Sequence, residues 1–203
     1  MVADMGPETE HHHHHHTGHR WLDAVLAVSA VIISLISLFL AIQHGRVMER
    51  MVEASTWPYV LVGYSNFNAD GTPHITLWVV NKGVGPARLD SLEVFYQDTA
   101  QTGPQALLKS ILRPPDPAHH FRVQTSDVVN SVLSAREWVN FVDLDAKSYD
   151  PSDYSRISGA TQHLEFRACY CSVFEECSVL DTRKSPRPVA VKACGVSNKP
   201  FQR

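Results

Sequence analysis

The sequence predicts a mainly β protein, in which an N-terminal transmembrane helix with a juxtamembrane extension precedes an antiparallel β-sandwich. Three observations predict it. An uncharged, apolar run of 19 residues extends from Ala24 to Ile42. From Trp57 onward, short segments rich in Val, Leu, Ile, Tyr, Phe and Trp recur. Turn-type residues separate these segments at intervals too short for helices.

The apolar run contains only Ser29, Ser34 and Ser37 as polar members. At about 1.5 Å per residue, a helix of this length nearly matches a hydrocarbon core of about 30 Å. Serine hydroxyls can bond back to carbonyls of their own helix, so they are tolerated in lipid. Arg20, Trp21 and Asp23 flank one end, and Gln43, His44 and Arg46 the other, where the two interfaces should lie. A cleavable signal peptide is the rival reading. It would need a basic start and a small-residue cleavage site, but this start is acidic, with Asp4, Glu8 and Glu10, and the run continues without proline into a helix-prone segment. The expected organisation is a tail over 1–20, a transmembrane helix over 21–43, a juxtamembrane helix over 44–56, a β-sandwich over 57–195 and a tail over 196–203. The run His11 to His16 reads as an affinity tag or a natural histidine tract and is set aside from fold reasoning.

Within the anchor, Ala27, Ala30, Ser34, Ser37 and Ala41 are separated by three, four, three and four residues. This spacing makes a heptad seam of small side chains. Helices in lipid associate through close packing at such residues, so the seam predicts self-association of the anchor.

The helix should stop before Trp57-Pro58, because proline removes a donor and displaces its predecessor from helical angles. Segments 57–67, 74–83 and 87–97 then read as strands, the first two joined by a hairpin containing Asp70-Gly71. Apolar spacing over 102–112 predicts a short helix or a covering loop, ended by Pro114, Pro115 and Pro117. Strands resume over 120–126, 136–144, 163–173 and 176–182, with a polar loop from Ala146 to Gly159. Six or more short strands require two sheets, each burying one face on the other.

Asn81, Gly83, Gly85 and Pro86 stand in the order Asn-x-Gly-x-Gly-Pro-Ala between two of these strands. The glycines are expected to supply positive backbone angles, the proline a rigid exit, and Asn81 a side-chain bond to its own turn. This turn resembles that of bacterial immunoglobulin-like modules of cell-surface proteins. The whole arrangement, an anchor, a Trp-Pro strand, this turn and a late Cys-Tyr-Cys hairpin, is similar to small single-pass proteins of the bacterial inner membrane. The resemblance implies an immunoglobulin-like fold and an envelope location. It brings no activity, and the immunoglobulin Cys and Trp spacing is absent.

Cys169, Cys171, Cys177 and Cys194 all lie in the last 35 residues. An even, clustered set predicts disulfides and an oxidising compartment. Cys169 and Cys171 share a strand face, and Cys177 follows across a short turn. A hairpin clamp from Cys171 to Cys177 with Cys169 reaching Cys194 is one of three possible pairings. Zinc held by these thiolates with His163 is the alternative, although Cys-x-Cys and Cys-x5-Cys are not the spacings of structural zinc knuckles. Cys-x-x-Cys is absent, so no thiol redox centre is expected.

Eighteen Lys and Arg against 21 Asp and Glu leave a formal charge of −3, which offers no basic field for nucleic acid. No nucleophile elbow, phosphate loop or metal-binding helix is present. Asp143 and Asp145 could serve as paired carboxylates but read as a solvated strand end, and Glu175 and Glu176 as a soluble hairpin tip. Trp57, Trp78, Trp138 and Tyr170 are expected in the core rather than in an exposed strip. The reading that follows is a non-enzymatic interaction or structural module with no cofactor. Its partners are the lipid bilayer and another membrane or envelope protein, or a second copy of itself. A loop-built metal or enzymatic site is the alternative. The positive-inside count, Arg20 against Arg46 and Arg50, favours a cytoplasmic domain; the cysteines and the resemblance favour the periplasm, which is the placement expected.

Overall fold

Trp57-Pro58 divides two kinds of structure. The computed structural model describes residues 20–116, 118–197 and 199–202; the histidine run and nearly all of the expected N-terminal tail lie outside the described residues. Before the Trp-Pro step stands helix α1, Arg20–Ser55, 36 residues without interruption. At the standard rise it is about 54 Å long, well beyond a hydrocarbon core. Ser29 and Ser34 donate to the carbonyls of Leu26 and Ala30, each at 2.8 Å, so neither hydroxyl needs an outside partner.

Residues Met51–Arg203 form a compact unit of their own. Among the described residues its strands make two sheets, and every pairing is antiparallel. The four-stranded sheet runs β1 (Val60–Phe67), β2 (Pro73–Asn81), β7 (Trp138–Asp145), β5 (Gln124–Thr125). The six-stranded sheet runs β10 (Ser185–Val191), β9 (Cys177–Asp181), β8 (Leu164–Cys171), β3 (Ala87–Tyr96), β4 (Thr99–Gln101), with β6 (Ser131–Leu133) also on β3. Alternation decides which side chains turn inward. Val60, Val62, Ile75, Leu77 and Val79 from the first sheet share one core with Leu89, Val94, Phe166, Ala168 and Tyr170 from the second.

The expected hairpin at Asp70-Gly71 is present. Asp70 Oδ1 accepts from the Thr72 N–H at 3.0 Å, and Gly71 takes φ +80°, an angle that costs a side chain but not glycine. The helix expected over 102–112 is α2, Pro104–Leu112, with Leu107, Leu108, Ile111 and Leu112 buried.

The sequence reading of Ala146 to Gly159 as a loop needs correction. Pro151–Ala160 is helix α3, started by a proline at its first turn. Its polar composition hides a narrow inner stripe, since Ile157 and Ala160 are buried. Arg156 Nη2 donates to the carbonyls of Ile111 and Leu112, both at 3.1 Å, and so satisfies the end of α2. Of the strand expected over 120–126, only Gln124–Thr125 pairs. Beyond β10 the chain returns across the six-stranded sheet. Phe201 reaches β3, donates from its N–H to the Leu92 carbonyl at 2.8 Å, and buries its ring to 6 % exposure beside Phe141.

Candidate functional site

The 81–86 turn is built around Asn81, which is fully buried. Its Nδ2 donates to the carbonyls of Gly85 at 2.7 Å and of Leu133 and Ser134 at 3.2 Å. Its Oδ1 accepts from the N–H groups of Gly83 at 3.0 Å and Tyr59 at 3.2 Å. One amide therefore joins the start of β1, the turn and the end of β6. The glycines do not play the part expected of them. Among the described glycines only Gly71 has positive φ. Gly83 and Gly85 are required by close approach instead: an added Cβ would lie 2.4 Å from the Trp57 carbonyl oxygen at Gly83 and 1.8 Å from that of Thr56 at Gly85. The motif is a packing joint that fixes the chain where it enters the domain.

The outer face of the four-stranded sheet carries aromatic surface. Trp78 on β2 and Trp138 on β7 stack with centroids 4.3 Å apart, and Trp138 is 49 % exposed. Trp138 Nε1 donates to Asn140 Oδ1 at 2.7 Å. Gly63 on β1 makes room, because a Cβ there would be 2.6 Å from Trp78 Cζ2. The expectation that the aromatic residues are core holds for Tyr170 and fails for Trp57 and Trp138, both about half exposed; these two occupy the sheet's entry and its outward register, where no second layer among the described residues covers them. On the same face His74 bonds Asp143, while Asp145 accepts from the Lys147 N–H. The two carboxylates are thus engaged separately.

All four cysteines are bonded, Cys169 to Cys194 and Cys171 to Cys177. Cys171 and Cys177 face each other directly across β8 and β9. Zinc on these thiolates is incompatible with the bonded state. His163 lies just before β8, while Cys171 ends it. At the hairpin tip Glu175 takes φ +61° and pairs with Arg88, whose Nη1 donates at 2.8 Å; Arg88 also holds Asp90. The Arg88 hydrogen bond and charge hold the Glu175 carboxyl below its ordinary range, so Glu175 is an ion-pair member rather than a free solubilising charge. On β9, burial raises the Asp181 carboxyl, and the bonds and charge of Arg183 outweigh this to leave it lowered. The Arg183 guanidinium in turn lies 3.7 Å over the Phe95 ring.

Two clefts lie among the described residues away from the cysteines. One, of about 420 Å³, is bordered by Leu92, Pro104, Asp127, Asn130, Phe141 and Phe201, and Asp127 is the only carboxylate on its lining. The other, of about 580 Å³ beside Tyr64, Asn66, Tyr154 and Thr161, has an uncharged lining.

A family model described as "Domain of unknown function (DUF8453)" matches residues 21–184. The chain belongs to this family. No curated protein and no solved structure matches it. The matched span begins at Trp21, inside α1, and runs to the turn after β9, so it takes in nearly all of the apolar helix and strands β1 to β9; β10, Cys194 and Phe201 lie beyond the span.

Sequence spacing did not point to Gly63, His74, Asp90 or Phe201. A glycine inside a strand is a signal of close approach, and alternation places His74 and Trp78 on one face. The approach of Asp90 and Phe201 to their partners has no local signature. The seam residues Ala27, Ala30, Ser34, Ser37 and Ala41 are all exposed along α1.

Proposed function

We propose that this protein is a single-pass membrane protein of the bacterial envelope whose periplasmic domain, an immunoglobulin-like sandwich, is a non-enzymatic module that binds another envelope protein. The observation that carries the interaction role is the stacked Trp78–Trp138 pair, in which Trp138 is half exposed on an open sheet face and Trp78 is partly buried beneath it. Desolvating an aromatic pair of this kind is a strong source of binding free energy, and tryptophan beside a hydrogen-bonding Asn suits a protein interface. The anchor reading is supported by the length and hydropathy of α1 and by a family match that includes most of it. The periplasmic reading rests on the two disulfides, and the immunoglobulin-like reading on two antiparallel sheets sharing a core and joined through the Asn81 turn. Association of two copies through the Ala27–Ala41 seam is a second mode, favoured by the exposed small side chains.

The test is photo-crosslinking in intact cells, with a benzophenone amino acid in place of Trp138, Leu61 or, as a control on the other sheet, Arg187. Adducts confined to Trp138 and Leu61 are expected. An adduct of twice the chain mass identifies self-association, and absence of any adduct overturns the interaction role. A mature N-terminus created by cleavage after α1 would overturn the anchor.

A further inference from the structure

The two disulfides are in contact with each other. Cys194 Sγ is 3.7 Å from Cys171 Sγ, and the sulfurs of Cys171, Cys177 and Cys194 all lie within 4.8 Å of one another. Cys169, Cys171 and Cys177 are buried, whereas Cys194 is partly exposed. Cys194 also lines an open groove of about 310 Å³ together with Asp90, Ser91, Gly195 and Ser197. Cys194 is thus the least buried of the four cysteines, and its sulfur touches the neighbouring bond.

We propose that these four cysteines form one thiol–disulfide exchange site whose substrate is a dithiol. A thiolate of the dithiol attacks Cys194 Sγ, breaks the Cys169–Cys194 bond and leaves Cys169 to take up a proton. The second thiol of the dithiol then attacks its own mixed-disulfide sulfur. The dithiol leaves oxidised to a disulfide, and Cys194 is released as a thiolate. That thiolate attacks the sulfur in contact with it, Cys171 Sγ, forming Cys171–Cys194 and expelling Cys177, which is protonated. In total two electrons enter the protein, one disulfide is lost, and the surviving bond has moved from the hairpin to the returning segment.

The surroundings favour this outcome. Asp90 Oδ2 stands 3.4 Å from Cys171 Sγ, and a carboxylate there opposes a thiolate on Cys171. Of the four sulfurs, Cys171 is thus the one that stays bonded, with either Cys177 or Cys194 as partner. The exchange unclamps the Ser172–Glu176 tip, whose Glu175 holds Arg88, while keeping the residues near Cys194 tethered to β8. The absence of Cys-x-x-Cys conceals such a site, because the fourth sulfur arrives on a separate segment beyond β10.

The test is stepwise reduction of the full-length folded protein with limiting dithiothreitol, followed by acid quenching, alkylation and peptide mapping. The expected two-electron product carries a Cys171–Cys194 bond with Cys169 and Cys177 alkylated. A product retaining Cys171–Cys177 with Cys169 and Cys194 alkylated would overturn the proposal, and so would loss of both bonds without a singly reduced species. As a second arm, the Cys169→Ser, Cys177→Ser double variant exposed to oxidised glutathione is expected to form the Cys171–Cys194 bond. Two persistent thiols in that folded variant would equally defeat it.

Discussion

A Cβ on Gly63 would stand 2.6 Å from Cζ2 of Trp78, so the indole occupies space that any other residue on β1 would fill. Gly63→Ala is therefore expected to swing Trp78 away from Trp138. Overpacking of this kind costs about 1–3 kcal/mol, with the low end expected because a side-chain ring, and not backbone, must move. The near-UV circular dichroism of the stacked pair should collapse; an unchanged spectrum would contradict the geometry.

Asn81→Ala leaves the buried carbonyls of Gly85 and Leu133 and the buried N–H of Gly83 without their side-chain partner, along with the more exposed Ser134 carbonyl. Each such group costs about 1–3 kcal/mol, so a loss on the order of 3 kcal/mol or more is expected in urea unfolding. Asn81→Asp should be comparably harmful, since it points an acceptor at three carbonyls.

Because Gly85 serves close approach and not a left-handed angle, Gly85→Ala and Gly85→Asn should be equally damaging. Either side chain would collide with the Thr56 carbonyl. Were Gly85→Asn tolerated while Gly85→Ala was not, a positive-φ role would be indicated after all, as asparagine tolerates that region.

The β3–β4 hairpin turns through Gln97 and Asp98, with φ of 49° and 60°, between the paired Tyr96 and Thr99. Two successive positive angles match the turn that Asn-Gly prefers. The double change Gln97→Asn, Asp98→Gly should raise stability, because left-handed angles cost an ordinary residue about 1–2 kcal/mol, a relief partly offset by the greater freedom of glycine in the unfolded chain; it is read as a higher urea midpoint with an unchanged slope.

Burial pushes the Tyr149 phenol up to about 12 from an ordinary value of 10, and its hydroxyl donates to the Arg122 carbonyl. The folded state holds this proton more tightly than the unfolded chain. The associated stability is fully present below pH 10 and is lost as pH rises from 10 towards 12. Tyr149→Phe should lose less stability than the parent protein over that interval. Parallel urea midpoints at pH 9, 10 and 11 measure the difference.

Much of the fold was legible because its signals are local. The apolar part of α1 follows from an uncharged run, its end from Trp57-Pro58, the first hairpin from Asp70-Gly71, and helix α2 from apolar spacing ended by prolines. Helix α3 was not, since in a stretch of Ser, Asp, Tyr and Arg only Ile157 and Ala160 are buried, and what holds it is Arg156 reaching the end of α2. The same limit applies to the candidate sites. Alternation could place Trp78 on a face, but not show that the face stays uncovered, and the Asn-x-Gly-x-Gly-Pro-Ala string marked a turn without revealing that its glycines make room for Thr56 and Trp57.

By itself the sequence determined an apolar helix followed by short antiparallel strands, and a set of cysteines able to pair, because hydropathy period, proline and glycine act over a few residues. Tertiary structure alone decided which cysteines bond, that Cys194 comes to rest against Cys171, that Phe201 returns to β3, and that Trp138 remains half exposed. These outcomes depend on segments far apart in the chain meeting in one place, and no local pattern encodes where such segments meet.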